Sequence, residues 1–364
     1  MMSTLQISLA IGGGLVLAGV VAHGAWTARK SLPKQATPPP APHGALSPAS
    51  AQGLASSSGD PAADAFAQRQ EPSFEADSGM SSLTQLTTPE RKPGLDILID
   101  ALAAITLESA VSGEAALAVM PSTRRVGSKP FGVEGLSVSL GEWEYPQSGH
   151  RYSAFQCGVQ LANRTGALNQ IEYSEFVIKA QAFADAVGGA VEFAEMLDEV
   201  ARARELDQFA GAHDAQISIT VRATRTAWSP GYVQQSAAGQ GFVSSLVPGR
   251  MVLPASQPGQ SPILILVFDP QAAMAEDPEQ TALREFSVLL DVPQVPRIEQ
   301  PFACMCDAAL KLAASMDGVI VDEEGHLIRA ADMEGIHADL EQLYDRMDER
   351  EMSAGSVLGR RLFS

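Results

Sequence analysis

Two short stretches of the chain hold residue types that ligate metals or attack electrophiles. "VDEEGH" (321–326) crowds acids against a histidine, and Cys304 and Cys306 stand two apart in "PFACMCDAALKLAASM". Zinc chemistry wants three or four such ligands converging on one point, and nucleophilic chemistry wants a thiol beside a base. The cysteines sit in a helical pattern, where residues two apart point to different faces, so they read as small buried hydrophobes. The acidic hexapeptide reads as a solvated turn. The other histidines with ordinary surroundings, His150, His213 and His337, share no ligand spacing with one another or with His326. No GxxxxGK[ST], GxSxG, HExxH or CxxC occurs, and "AVGGAVEF" (186–193) lacks the spacing and the preceding strand of a dinucleotide loop. An enzyme is not expected, and neither is a cofactor or a metal. The chemistry to look for is recognition.

Composition narrows what could be recognised. The 364 residues carry 43 acidic and 25 basic side chains, a formal charge of −18. Nucleic acid needs a concentrated basic face, and anionic lipid needs a broad one; neither is offered. Three cysteines, Cys157, Cys304 and Cys306, are too few to frame a chain this long with disulfides and suit a reducing compartment.

The segment at 7–26, "ISLAIGGGLVLAGVVAHGAW", has no charge. As a helix its 20 residues would reach about 30 Å, the thickness of the hydrocarbon core. No basic residue precedes it, as a cleaved signal would require, whereas Arg29, Lys30 and Lys34 follow it. The positive-inside rule then predicts residues 1–30 as a membrane anchor with its N-terminus outside and the remaining chain in the cytoplasm. Residues 31–92 are rich in Pro, Ala, Ser and Gly without periodicity, and read as a disordered linker. Roughly 60 such residues span on the order of 45 Å on average.

Beyond the linker the chain repeats itself. "DALAAIT" begins at Asp100 and "DAQISIT" at Asp214, and the pattern around each agrees. In the second copy a strand (216–224) leads to a helix capped by Ser229 with Pro230 at its first position. Three strand-like runs follow, "GRMVLPA", "PILILVFDP" and "FSVLLDVP". A helix ending at Gly318, the short strand "VIVD" and a charged amphipathic helix complete it. The first copy gives the same order, with a helix capped by Ser112, strands at "KPFGVEGLS", "EWEYP" and "RYSAFQCGVQLAN", and a long helix ending at Gly189. The predicted fold class is α+β: two tandem β-α-β-β-β-α-β-α domains, 93–211 and 212–352, each an antiparallel sheet with helices on one face, then a tail at 353–364. The strands of the second copy are apolar on both sides, which predicts either an open binding face or two sheets packed on each other.

The anchor, the tether and this element order together resemble the ZipA family of bacterial cell-division proteins. The stretch that carries the likeness is "FSVLLDVPQV…PFACMCDAALKLAASMDGVIVDEEGHLI…IHADLEQLYDRM". The resemblance covers residues 214–351, and the anchor and tether in outline. It implies a shallow apolar groove on the open sheet face that holds the C-terminal peptide of FtsZ, the tubulin-like division GTPase. The implied groove residues are Val221, Met251, Leu253, Leu266, Phe268, Ser287, Leu289 and Asp291. Because side chains alternate along a strand, a one-residue slip would turn each set to the opposite face. The chain departs from the family by its extra upstream copy and by the acid at Asp291, which would disfavour an acidic peptide. The implied function is a single-pass protein of the bacterial inner membrane, N-terminus periplasmic and domains cytoplasmic, that ties FtsZ filaments to the membrane. A membrane-tethered adaptor for another envelope or division partner is the alternative.

Overall fold

The computed structural model describes residues 33–36 and 94–364, apart from 278–279 and 323. The expected anchor at 7–26 and most of the linker lie outside the described residues. Among the described residues no helix is long and apolar enough to cross a membrane.

The first lobe opens with β1 (Asp100–Ser112) and α1 (Gly113–Ala118), then β2 (Arg125–Val126), β3 (Lys129–Ser137), β4 (Trp143–Glu144) and β5 (Arg151–Gln160). A small hairpin follows, β6 (Ala162–Asn163) with β7 (Gly166–Ala167). Then come α2 (Gln170–Val187), β8 (Gly189–Glu192) and α3 (Met196–His213). The second lobe runs β9 (Gln216–Ala223), α4 (Pro230–Ala238), β10 (Val243–Ser244), β11 (Arg250–Leu253), β12 (Leu264–Val267) and α5 (Pro270–Ala273). It continues with β13 (Glu285–Asp291), α6 (Pro301–Met316), β14 (Gly318–Val321) and α7 (Ala330–Glu349), and α8 (Val357–Leu362) closes the chain.

The strand orders are β2-β3-β5-β1-β8 in one sheet and β10-β11-β12-β13-β9-β14 in the other, and every pairing is antiparallel. Each lobe therefore places its first strand between its last long strand before the long helix and the short strand that follows that helix. The reason shows at two equivalent glycines. Gly189 pairs with Leu107 of β1 and Gly318 with Ala223 of β9. A Cβ on Gly189 would lie 2.6 Å from Ile105 Cγ2, and one on Gly318 would lie 3.1 Å from the Arg222 carbonyl and 3.2 Å from the Trp228 ring. Both lobes need a bare backbone where the short strand crosses onto the first.

Local chemistry sets the helix ends. Ser112 Oγ accepts from Ala115 N and Ser229 Oγ from Tyr232 N, as the capping pattern predicts. The left-handed stop of α2 is Gly188, and that of α6 is Asp317 at φ 61°, so Gly189 and Gly318 already belong to the strands. The N-terminus of α2 lies upstream of the expected "YSEF". Asn169 Oδ1 accepts from Ile171 N and Glu172 N, while Glu172 returns a carboxylate to Asn169 N, a reciprocal box that begins the helix at Gln170.

The strand expected at "EWEYP" is present but short, Trp143–Glu144 alone. It lies on the outer side of β3, opposite Gly135 and Leu136, while β3 pairs directly with β5 over Phe131–Ser137.

Candidate functional site

The register of the second sheet fixes which side chains share a face. Val221 stands opposite Phe286 and Ile320, and Leu266 stands opposite Val288 and Met251. These residues are all buried, and α6 packs over β9, β13 and β14 on that side. The other parity forms rows on the opposite face. One row crosses Val243, Val252, Ile265, Leu289 and Ser218; the next crosses Arg250, Val267, Ser287, Thr220 and Val321. Four adjacent strands thus present aliphatic side chains over about 15 Å. Val321, at the far end of the second row, is buried, Val243, at the edge of the first, is 50% exposed, and the others are partly buried.

Of the residues implied by the family resemblance, Ser287, Leu289 and Asp291 lie on this open parity. Val221, Met251, Leu253, Leu266 and Phe268 lie on the helix side, four of them buried and Leu253 partly so. They are one position out of register with the open face, whose corresponding residues are Thr220, Val252, Ile265 and Val267. The single groove of eight residues is therefore split between the core and the surface. A strand such as "ILILVF" is apolar at both parities, so it contains no alternation from which to tell the faces apart.

Polar side chains frame the aliphatic row without interrupting it. Thr220 Oγ1 and Ser287 Oγ bond at 2.9 Å, and Arg222 Nε donates to Glu285 at the far end. Asp291 is not a free acid. Arg164, in the turn between β6 and β7 of the first lobe, reaches across with its guanidinium, donating to Asp291 at 2.7 and 2.8 Å and to Asp214 at 2.6 and 3.0 Å. Hydrogen bonds donated by Arg164 to the two carboxylates, Asp291 foremost, hold its pKa above the ordinary value. The acid that would disfavour an acidic peptide is paired before any peptide arrives.

The equivalent face of the first lobe has a different lining. Its rows are Leu102–Gly158–Gly132, Ala104–Gln156–Glu134 and Thr106–Ala154–Leu136. Gln156 Nε2 donates to Glu134, whose other oxygen accepts from Leu95 N, and the Leu95 side chain covers the gap left by Gly132 and Gly158. Small and polar residues with a leucine plug leave little apolar surface to bury.

The groups singled out for chemistry are placed plainly. Asp322, Glu324 and His326 have ligand atoms within 4.8 Å of one another, yet Asp322 Oδ1 already accepts from Glu324 N and His326 N of the same turn. The His326 N–H bond foremost holds the Asp322 carboxyl below its ordinary range. Burial pushes the Cys157 thiol up to about 12, and it raises Cys304 and Cys306 as well, so none favours the thiolate. His150 Nδ1 lies 2.6 Å from Glu144, which also accepts from the Tyr152 hydroxyl. That cluster closes the β4–β5 turn, and separation along the sequence hides it.

The tail also finds its place. Leu362 and Phe363 are fully buried, Gln160 of the first lobe donates to the Arg361 carbonyl, and Gln294 of the second donates to the Phe363 carbonyl. Arg361 donates to the buried Asp100 at 2.6 Å. The last residues join the lobes. No protein-family model and no curated protein matches the chain.

Proposed function

We propose that this protein is a membrane-anchored division protein that ties FtsZ filaments to the bacterial inner membrane. On this reading it captures the FtsZ C-terminal peptide on the open face of the second sheet. The observation that supports it is the aliphatic row Val243–Val252–Ile265–Leu289 on a sheet face opposite the helices. An apolar surface of that width suits the hydrophobic side of a short peptide helix or strand, and polar partners at its rim leave the peptide's charges in water. The two lobes, alike in strand order and in the placement of Gly189 and Gly318, are read as tandem copies of one unit. Only the second keeps an apolar open face; the first acts as a brace that holds Asp291 through Arg164. Modest affinity at one site is enough, because a filament offers many peptides to many membrane-held copies.

The test is fluorescence anisotropy of a labelled FtsZ C-terminal peptide against the full chain in nanodiscs, beside Leu289→Ala. Saturable micromolar binding that Leu289→Ala weakens supports the reading. Absence of binding at millimolar peptide refutes it and leaves an adaptor for a different envelope partner. No catalytic step, cofactor or metal enters this reading.

A further inference from the structure

Inside the stretch that composition assigns to a flexible linker, residues 33–36 are held against the second lobe. The Lys34 N–H donates to the Ala227 carbonyl at 2.7 Å, and the Lys34 carbonyl accepts from Ser229 N at 2.8 Å. Lys34 thereby forms a parallel bridge to Trp228, which on its other side exchanges two hydrogen bonds with Leu283. The side chain is engaged as well. Lys34 Nζ donates to the Met316 carbonyl at 2.8 Å, beside the Trp228 indole N–H, which donates to the same oxygen. That carbonyl ends α6, where a helix favours a cation, and the Asp317 carboxylate lies 4.0 Å from the ammonium. Pro33 is buried.

We infer that this strap sets the length of the membrane tether. With Lys34 docked, only residues 27–33 separate the apolar segment from the second lobe, and seven residues extend to at most about 25 Å. The remaining linker, 37–93, starts and ends on the folded body and adds nothing to the reach. Undocked, residues 27–93 all become tether, with an average span of roughly 45 Å and a far longer limit. The strap thus holds the peptide-binding lobe close to the bilayer, and its release would let the lobe follow filaments further away. The inference rests on the anchor reading of residues 7–26, whereas the strap contact itself does not.

The experiment uses the full chain on supported bilayers, with hydrogen exchange read at the Lys34 and Ser229 amides and neutron reflectometry reading the gap between bilayer and protein. Lys34→Pro removes both the amide donor and the ammonium. In the wild type both amides are expected to exchange at least about tenfold more slowly than in an open peptide, with protein density starting within about 25 Å of the headgroups. In Lys34→Pro the Ser229 protection is lost and the layer moves outward and broadens, while the β13 amides stay protected and report an intact lobe. A wild-type Lys34 amide that exchanges freely beside protected β13 amides overturns the strap. An unchanged gap in Lys34→Pro after Ser229 protection is lost overturns its control of reach. Failure of the protein to stay on the bilayer refutes the anchor reading and the distance with it, and protected amides would then mark that failure as the anchor's alone.

Discussion

Neighbouring residues Ile265 and Leu266 on β12 test the face assignment most directly, because one backbone step separates a surface role from a core role. Leu266 is fully buried, between Val288 and Met251. Truncation to Ala at such a site costs about 2–5 kcal/mol through lost transfer energy and an unfilled cavity. Ile265 lies in the open row between Val252 and Leu289 and is only partly buried. Its truncation should cost the fold about 1 kcal/mol or less. A docked peptide would cover the part of Ile265 still exposed. Roughly 40 Å² at ~25 cal/mol/Å² amounts to about 1 kcal/mol, close to a fivefold loss of affinity. The two variants should therefore separate. Leu266→Ala lowers the urea midpoint steeply while its folded fraction binds peptide with wild-type Kd; Ile265→Ala keeps the midpoint and raises Kd. Urea unfolding followed by circular dichroism, with anisotropy on the same samples below the transition, reads both quantities. The opposite pattern, with Leu266→Ala weakening binding in fully folded protein and Ile265→Ala leaving it untouched, would refute the assignment of faces.

Three further outcomes follow from the fold. Gly189→Ala should destabilise by about 1–3 kcal/mol, since its Cβ would meet the Thr106 carbonyl at 2.9 Å as well as Ile105. Gly318→Ala, whose nearest contacts are at 3.1 Å, should cost less, and equal Tm changes would contradict this. Arg361→Leu leaves the buried Asp100 carboxyl without its cationic partner and removes one of the tail's ties to the first lobe, while the Gln160 bond to the carbonyl of residue 361 stays. A loss of about 3 kcal/mol is expected, and thermal melts within a degree of wild type would show that the contact is idle. For Glu172, burial pushes the carboxyl pKa up, but bonds from Ser128 N, Ser128 Oγ and Asn169 N outweigh it and hold the value below the ordinary 4.5. A depressed carboxyl pKa contributes stability that is fully present above 4.5 and is lost as pH falls through the folded-state value. Glu172→Gln should therefore flatten the acid limb of a stability–pH curve below about 4.5 and lower the plateau above it. Parallel curves for both proteins would count against that account.

Much of the architecture is written locally. Ser112 and Ser229 announce helices because a hydroxyl at that position satisfies an orphan N–H whatever the rest of the chain does. The order of the longer strands and helices in both lobes is legible from periodicity, whereas β2, β6, β7, β10 and α5 are too short to show in it. The Asn169–Glu172 box was equally available and places the start of α2 where apolar spacing alone does not. Other features exist only in three dimensions. A strand apolar at both parities acquires an inside from the helix that lands on it, so Val221 and Leu266 became core while Thr220 and Ile265 did not. Trp143–Glu144 takes the outer side of β3 because the other side of β3 pairs with β5 over Phe131–Ser137. Arg164 is 127 residues from Asp291, the Arg361–Asp100 pair is 261 residues apart, and Lys34 is 282 residues from Met316. Local pattern carries the preferences of neighbours along the chain; partners this distant are chosen by the packing of whole lobes, and no short stretch of sequence encodes them.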